Sequence, residues 1–104
     1  MSLQDDPSLA TKFENLKSVF AAFSDAVSEG DDDRAFLLFL KFERLSELLT
    51  ELADAVAGHK THFYEEAFRV KKWMEFEVGL ADEPGYCSDQ SAAQTILNGA
   101  LKWG

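Results

Sequence analysis

The spacing of the apolar residues constrains the fold most strongly, because it follows the period of an α-helix along nearly the whole chain. In the first third, large apolar residues lie alternately four and three positions apart, which places them on one stripe of a helix. They are Leu9, Phe13, Leu16, Phe20, Phe23 and Val27. Asp6 before Pro7 is typical of a helix start, and Gly30 is typical of a helix end. The pattern predicts a first helix over residues 7–28.

A second stripe with the same spacing follows three consecutive carboxylates at residues 31–33. Carboxylates suit the start of a helix, since they accept hydrogen bonds from its free N–H groups and its N-terminus is partly positive. The stripe consists of Ala35, Leu38, Phe42, Leu45, Leu49, Leu52 and Val56. Gly58 is a candidate end for this helix. The spacing continues through His59 and Phe63, however, so a bent continuous helix over residues 33–78 is an alternative.

The apolar pattern of the rest of the sequence predicts two more helices. One covers about residues 61–78, with Phe63, Ala67, Val70, Met74 and Val78 on one face. After a loop at residues 80–88, marked by Pro84-Gly85, a last helix covers about residues 88–102. It presents Ala93, Ile96, Leu97, Ala100 and Leu101. We therefore predict one all-α domain over residues 1–104: an up-and-down helical bundle of three long helices and one short C-terminal helix, with residues 1–6 as a tail.

The charge and the cysteine content of the chain narrow the range of functions and cell compartments to expect. Nineteen acidic and ten basic side chains give a net charge of −9, and residues 1–33 alone hold eight acidic and two basic groups. This excess disfavours direct nucleic-acid binding, which requires surplus Lys and Arg. A single cysteine cannot form a disulfide within the chain, which favours a reducing compartment. The acidic start and the short apolar run at residues 35–40 predict neither a signal peptide nor a membrane span. We expect a cytoplasmic protein.

The side chains that could support chemistry form incomplete patterns. His59, His62 and Glu66 share one helix face, but no Glu-x-x-His pair or His-Glu-x-x-His motif accompanies them. Glu51 and Asp54 have the spacing of one half of a two-helix magnesium site, and no Glu-x-x-Glu supplies the other half. The spacing therefore predicts no metal, no cofactor and no catalytic site, and Cys87 is expected to be a passive loop thiol.

Two groups of side chains do predict an interaction surface. Phe36 and Leu40 lie nearly opposite the second stripe, so the start of that helix must be covered on two sides. The loop at residues 80–88 with the last helix could supply the cover, or a second subunit could; we expect a homodimer. On the third helix, aromatic and polar residues lie away from the main stripe. They are His62, Glu66, Arg69, Trp73 and Phe76.

By elimination, the sequence favours a non-catalytic protein–protein interaction module, a small acidic regulatory or adaptor protein whose protein partner is not identified by any motif. One alternative is an acidic inhibitor that occupies the basic cleft of a nucleic-acid-acting protein. Another is a metal- or nucleotide-dependent helical enzyme.

Overall fold

Four packed helices make up the part of the protein that the structure describes. The structure, a computed structural model, describes residues 7–57, 62–83, 85, 87 and 89–100, and these contain helices and no strand. The helices are α1 (Pro7–Glu29), α2 (Asp32–Ala57), α3 (His62–Glu77) and α4 (Gln90–Asn98). Each helix packs against the next in the chain, and α4 also contacts α1. The predicted all-α fold is confirmed.

The connection between α1 and α2 follows the predicted chemistry. Gly30 ends α1 with a φ of 75°, a left-handed conformation that favours glycine. The N–H of Asp31 then donates to the carbonyl of Ala26 at 2.9 Å. Asp31 accepts the N–H of Arg34 on its Oδ1 at 3.2 Å, as the N-cap of α2. The predicted cap formed by Asp6 lies outside the described residues.

Aromatic side chains join the first three helices. The ring of Phe20 in α1 lies 6.3 Å from that of Phe42 in α2 and 5.7 Å from that of Trp73 in α3, measured between centroids. Phe23 contacts Trp73 edge-on at 5.8 Å, and one end of α1 contacts α3 through Phe13 and Phe63 at 6.3 Å. Since Phe20 and Phe23 are fully buried, α1 is the helix around which the core forms.

The buried face of α2 differs from the predicted stripe. The buried positions are Ala35, Phe39, Phe42, Ser46, Leu49 and Ala53, which again alternate by four and three residues. Half of them, namely Phe39, Ser46 and Ala53, lie outside the predicted stripe. Leu38, Leu45 and Leu52 are only partly buried beside the core. A buried serine is tolerated here because the Ser46 hydroxyl donates to the carbonyl of Glu43 at 2.9 Å.

The last helix is shorter than predicted, whereas α3 agrees with its predicted range to within one residue at each end. Residues 58–61, on which a continuous helix through Gly58 depends, lie outside the described residues. The last helix begins at the N-cap Asp89, whose side chain accepts the N–H of Ala92 at 2.9 Å. It ends at Gly99, so the predicted continuation of this helix through Gly99 is wrong. Within the described ranges, no helix has the length and apolar character of a membrane span.

One buried polar group in α1 has a consequence for stability. Ser24 is 3% exposed, and its hydroxyl has no hydrogen-bond partner in the part of the chain that the structure describes. Leaving a buried hydroxyl unsatisfied costs about 1–3 kcal/mol relative to a partnered one.

Replacement of this serine is therefore expected to stabilise the protein. Ser24→Ala removes the unsatisfied group and should raise the free energy of unfolding by about 1 kcal/mol or more. Urea unfolding followed by circular dichroism measures the change. Ser18→Ala is the matched control, because Ser18 is exposed in the same helix and alanine there changes only helix propensity, by less than about 0.7 kcal/mol. A loss of stability in Ser24→Ala would contradict this account.

Candidate interaction surface

The exposed apolar side chains are unevenly distributed over the helices. Along α1, every residue of which is described, no large apolar side chain is exposed. On α2, Phe36 is 40%, Leu37 62%, Leu40 39% and Leu48 42% exposed. Scattered exposed apolar residues are ordinary on a protein surface, but four of them lie on this one helix.

These side chains form part of a continuous strip, which we name the outer strip of α2. Its members are all exposed and recur at helical spacing: Phe36, Leu37, Leu40, Lys41, Arg44, Glu47, Leu48 and Glu51. A shallow hollow of about 410 Å³ lies at its N-terminal end, between leucine side chains and the stems of Arg34, Lys41 and Arg44. The strip is exposed because the core contacts of Phe39 and Phe42 turn the opposite face of α2 inward.

Charges on the outer strip are segregated along the helix. Lys41 and Arg44 lie in its first half, whereas Glu47 and Glu51 lie in its second half. None of these four side chains takes part in an ion pair with another described residue. Arg34, just before the strip, differs in this respect because its guanidinium pairs with Glu29 at 3.1 Å. The strip therefore combines apolar contact area with four uncompensated charges.

A groove between α2 and α3 borders the strip. It has a volume of about 380 Å³, and its walls include Glu47 and Glu51 from α2 and Tyr64 and Phe68 from α3. Lys71 of α3 and Glu43 of α2 form an ion pair between these two helices, with 3.4 Å from the ammonium nitrogen to a carboxylate oxygen. Phe36 lies seven residues before Glu43, and therefore on the same side of α2. The apolar start of the strip continues the line of this groove.

The assignment of Trp73 to the surface is wrong. This side chain is 3% exposed and packs against Phe20 and Phe23 of α1. The indole lies outside the narrow apolar stripe of α3, but α1 lies against that side of the helix. It contributes to the core and is inaccessible to a partner.

The other predicted positions on α3 do not join Phe36 and Leu40. Glu66 and Arg69 form an ion pair at 3.2 Å, and the Sγ of Cys87 donates to the carbonyl of Arg69 at 3.6 Å. The segment before α4 thus covers this side of α3. Phe76, 37% exposed, lies one heptad after Arg69 and shares that side, whereas Lys71 faces α2. The predicted surface is therefore divided between two faces.

The loop before α4 covers α3 and leaves the start of α2 exposed. A Cβ at Gly85 would lie 3.4 Å from the Cβ of Lys72, which shows how closely the loop approaches α3. Phe36 and Leu40 remain about two-fifths exposed. The alternative in which this loop and α4 cover both side chains is therefore wrong.

Two chemical candidates remain to be placed. Cys87 is buried, and burial raises the pKa of its thiol, although the nearby Arg69 acts in the opposite direction. The described residues contain no group of three or more His, Cys, Asp or Glu side chains that could hold a metal ion. His59 and the side chain of His62 lie outside what the structure describes, so the predicted absence of a site at His59, His62 and Glu66 stays a prediction.

Comparison with known proteins assigns no family. The chain matches no protein-family model, and neither curated proteins nor solved structures show a significant match to it.

The different positions of Trp73 and Phe76 predict different effects of mutation. Trp73→Ala should lower the free energy of unfolding by about 3–5 kcal/mol, because it leaves a cavity against Phe20 and Phe23. Phe76→Ala should cost much less, since its ring is 37% exposed. Chemical denaturation followed by circular dichroism compares the two variants. Equal losses of stability would contradict the assignment of Trp73 to the core.

Proposed function

We propose that the protein is a non-catalytic protein–protein interaction module that forms a homodimer through the outer strip of α2. In this proposal, three long helices and one short helix in up-and-down order hold the strip outward, and the module works in the cytoplasm. The single observation that carries the proposal is the exposure of Phe36, Leu37, Leu40 and Leu48 on one helix.

The physical support for this proposal is the hydrophobic effect. Full burial of a leucine or phenylalanine side chain contributes about 1.5–3 kcal/mol relative to full exposure. The four apolar side chains of the strip are partly exposed to water, so covering them would add a substantial part of that stabilisation. A domain of 104 residues has few elements to spare for a second layer over α2, because its surface is large relative to its core. A second copy can supply that layer with its own α2.

The dimer can be tested by charged substitutions at the apolar start of the strip. Phe36→Asp combined with Leu40→Asp should convert a dimer into a folded monomer, because carboxylates in a dry interface are costly and remain solvated in the monomer. Light scattering after size-exclusion chromatography gives the mass, and circular dichroism gives the helix content. The unmodified protein should have twice the mass of the chain at high micromolar concentration.

Phe76→Asp combined with Leu80→Asp is the matched control. It introduces the same two types of substitution at the same spacing, at side chains that are 37% and 59% exposed outside the strip. This control should remain dimeric. A monomeric unmodified protein at high micromolar concentration, or a Phe36→Asp/Leu40→Asp variant that unfolds outright, would contradict the proposal.

A further inference from the structure

We infer that the two copies pair isologously, with their α2 helices antiparallel, so that Lys41 and Arg44 of each copy face Glu47 and Glu51 of the other. This inference rests on the proposed dimer and adds its orientation and register. The observation behind it is the segregation of the four charges along one exposed strip.

In the structure, none of the four charges is held by an ion pair with another described residue. In the described part of the chain, neither Lys41 nor Arg44 pairs with a carboxylate, and Glu47 and Glu51 pair with no cation. By contrast, Glu43 of the same helix pairs with Lys71 of α3 at 3.4 Å. The four groups are therefore available to a second molecule, and their signs are complementary only when one strip is reversed against the other.

Orientation follows from like-charge repulsion. In a parallel pair, Lys41 and Arg44 would lie beside the same residues of the second copy, and Glu47 and Glu51 likewise. Each cation would then meet a cation and each carboxylate a carboxylate. An antiparallel pair replaces these repulsions with attractions, and two-fold symmetry repeats every contact.

Register follows from the apolar residues. In an antiparallel pair, each step towards the N-terminus of one helix is a step towards the C-terminus of the other. The register that sets Lys41 against Glu51 therefore also sets Leu37 against Ala55. Ala55 is exposed and small, which permits close approach of the two helices. The same register sets Arg44 against Leu48, where the aliphatic stem of the arginine can cover the leucine while its guanidinium reaches Glu47. A shift that opposed Arg44 to itself would bring the two guanidinium groups together.

Charge reversal followed by charge exchange tests the arrangement. Lys41→Glu with Arg44→Glu makes the strip wholly acidic and should raise the dissociation constant of the dimer by about tenfold or more, since symmetry doubles every lost attraction. Adding Glu47→Lys and Glu51→Lys exchanges the two halves and restores the original net charge. The fourfold variant should dimerise as tightly as the unmodified protein. Sedimentation equilibrium measures the constants, and circular dichroism checks the fold.

Lys12→Glu with Lys17→Glu in α1 is the control for net charge, and it should leave the dissociation constant close to that of the unmodified protein. If the unmodified protein is a dimer and the Lys41→Glu/Arg44→Glu variant dimerises equally well, the antiparallel arrangement is overturned and the proposed dimer stands. A fourfold variant that stays folded but monomeric also overturns the arrangement. A monomeric unmodified protein overturns both proposals.

Discussion

The contact of Phe20 with Phe42 and Trp73 is the constraint on which the rest of the structure depends. One ring in α1 touches a ring from α2 and a ring from α3, so it fixes the rotation of both helices at once. With Phe42 directed into the core, Phe39 follows it inward, one helical turn earlier. The opposite side of α2 is then directed to solvent. The outer strip is thus a consequence of how the core packs.

Much of the fold could be predicted because its signals are local. The alternation of four and three in α1, Gly30 as its end and Asp31 as the cap of α2 each involve neighbours in sequence. The rotation of α2 was harder to predict, because residues 36–42 are apolar on nearly every side and several stripes can be drawn through them. The ring contact between Phe20 of α1 and Phe42 fixes the rotation of α2 from a distant part of the chain, and in that rotation Phe39 is buried whereas Leu38 is only partly buried. The same long-range dependence placed Trp73 in the core, where α1 covers it.

The candidate site was predictable only in part. The sequence identifies Phe36 and Leu40 because they lie opposite an apolar stripe of the same helix, and both are exposed in the structure. The sequence pattern does not single out Leu37 and Leu48, since a surface residue has no periodic signal of its own and half of the buried positions lie one residue away from the predicted stripe. The sequence cannot separate Phe76 from Phe36, because helical spacing says nothing about which face of α3 meets α2. The contact of Lys71 with Glu43 settles that orientation.

The central claim is that the outer strip of α2 is an interface between two copies of the chain. A dilution series of two-dimensional amide NMR spectra tests it most directly, because it reports each residue of the unmodified protein. Our account predicts that resonances of residues 36–51 shift or broaden with concentration, most strongly near Leu37, Leu40 and Leu48, while exposed residues of α1 stay unchanged. Spectra that do not change with concentration, or changes confined to α1 or to the Phe76 side of α3, would contradict it.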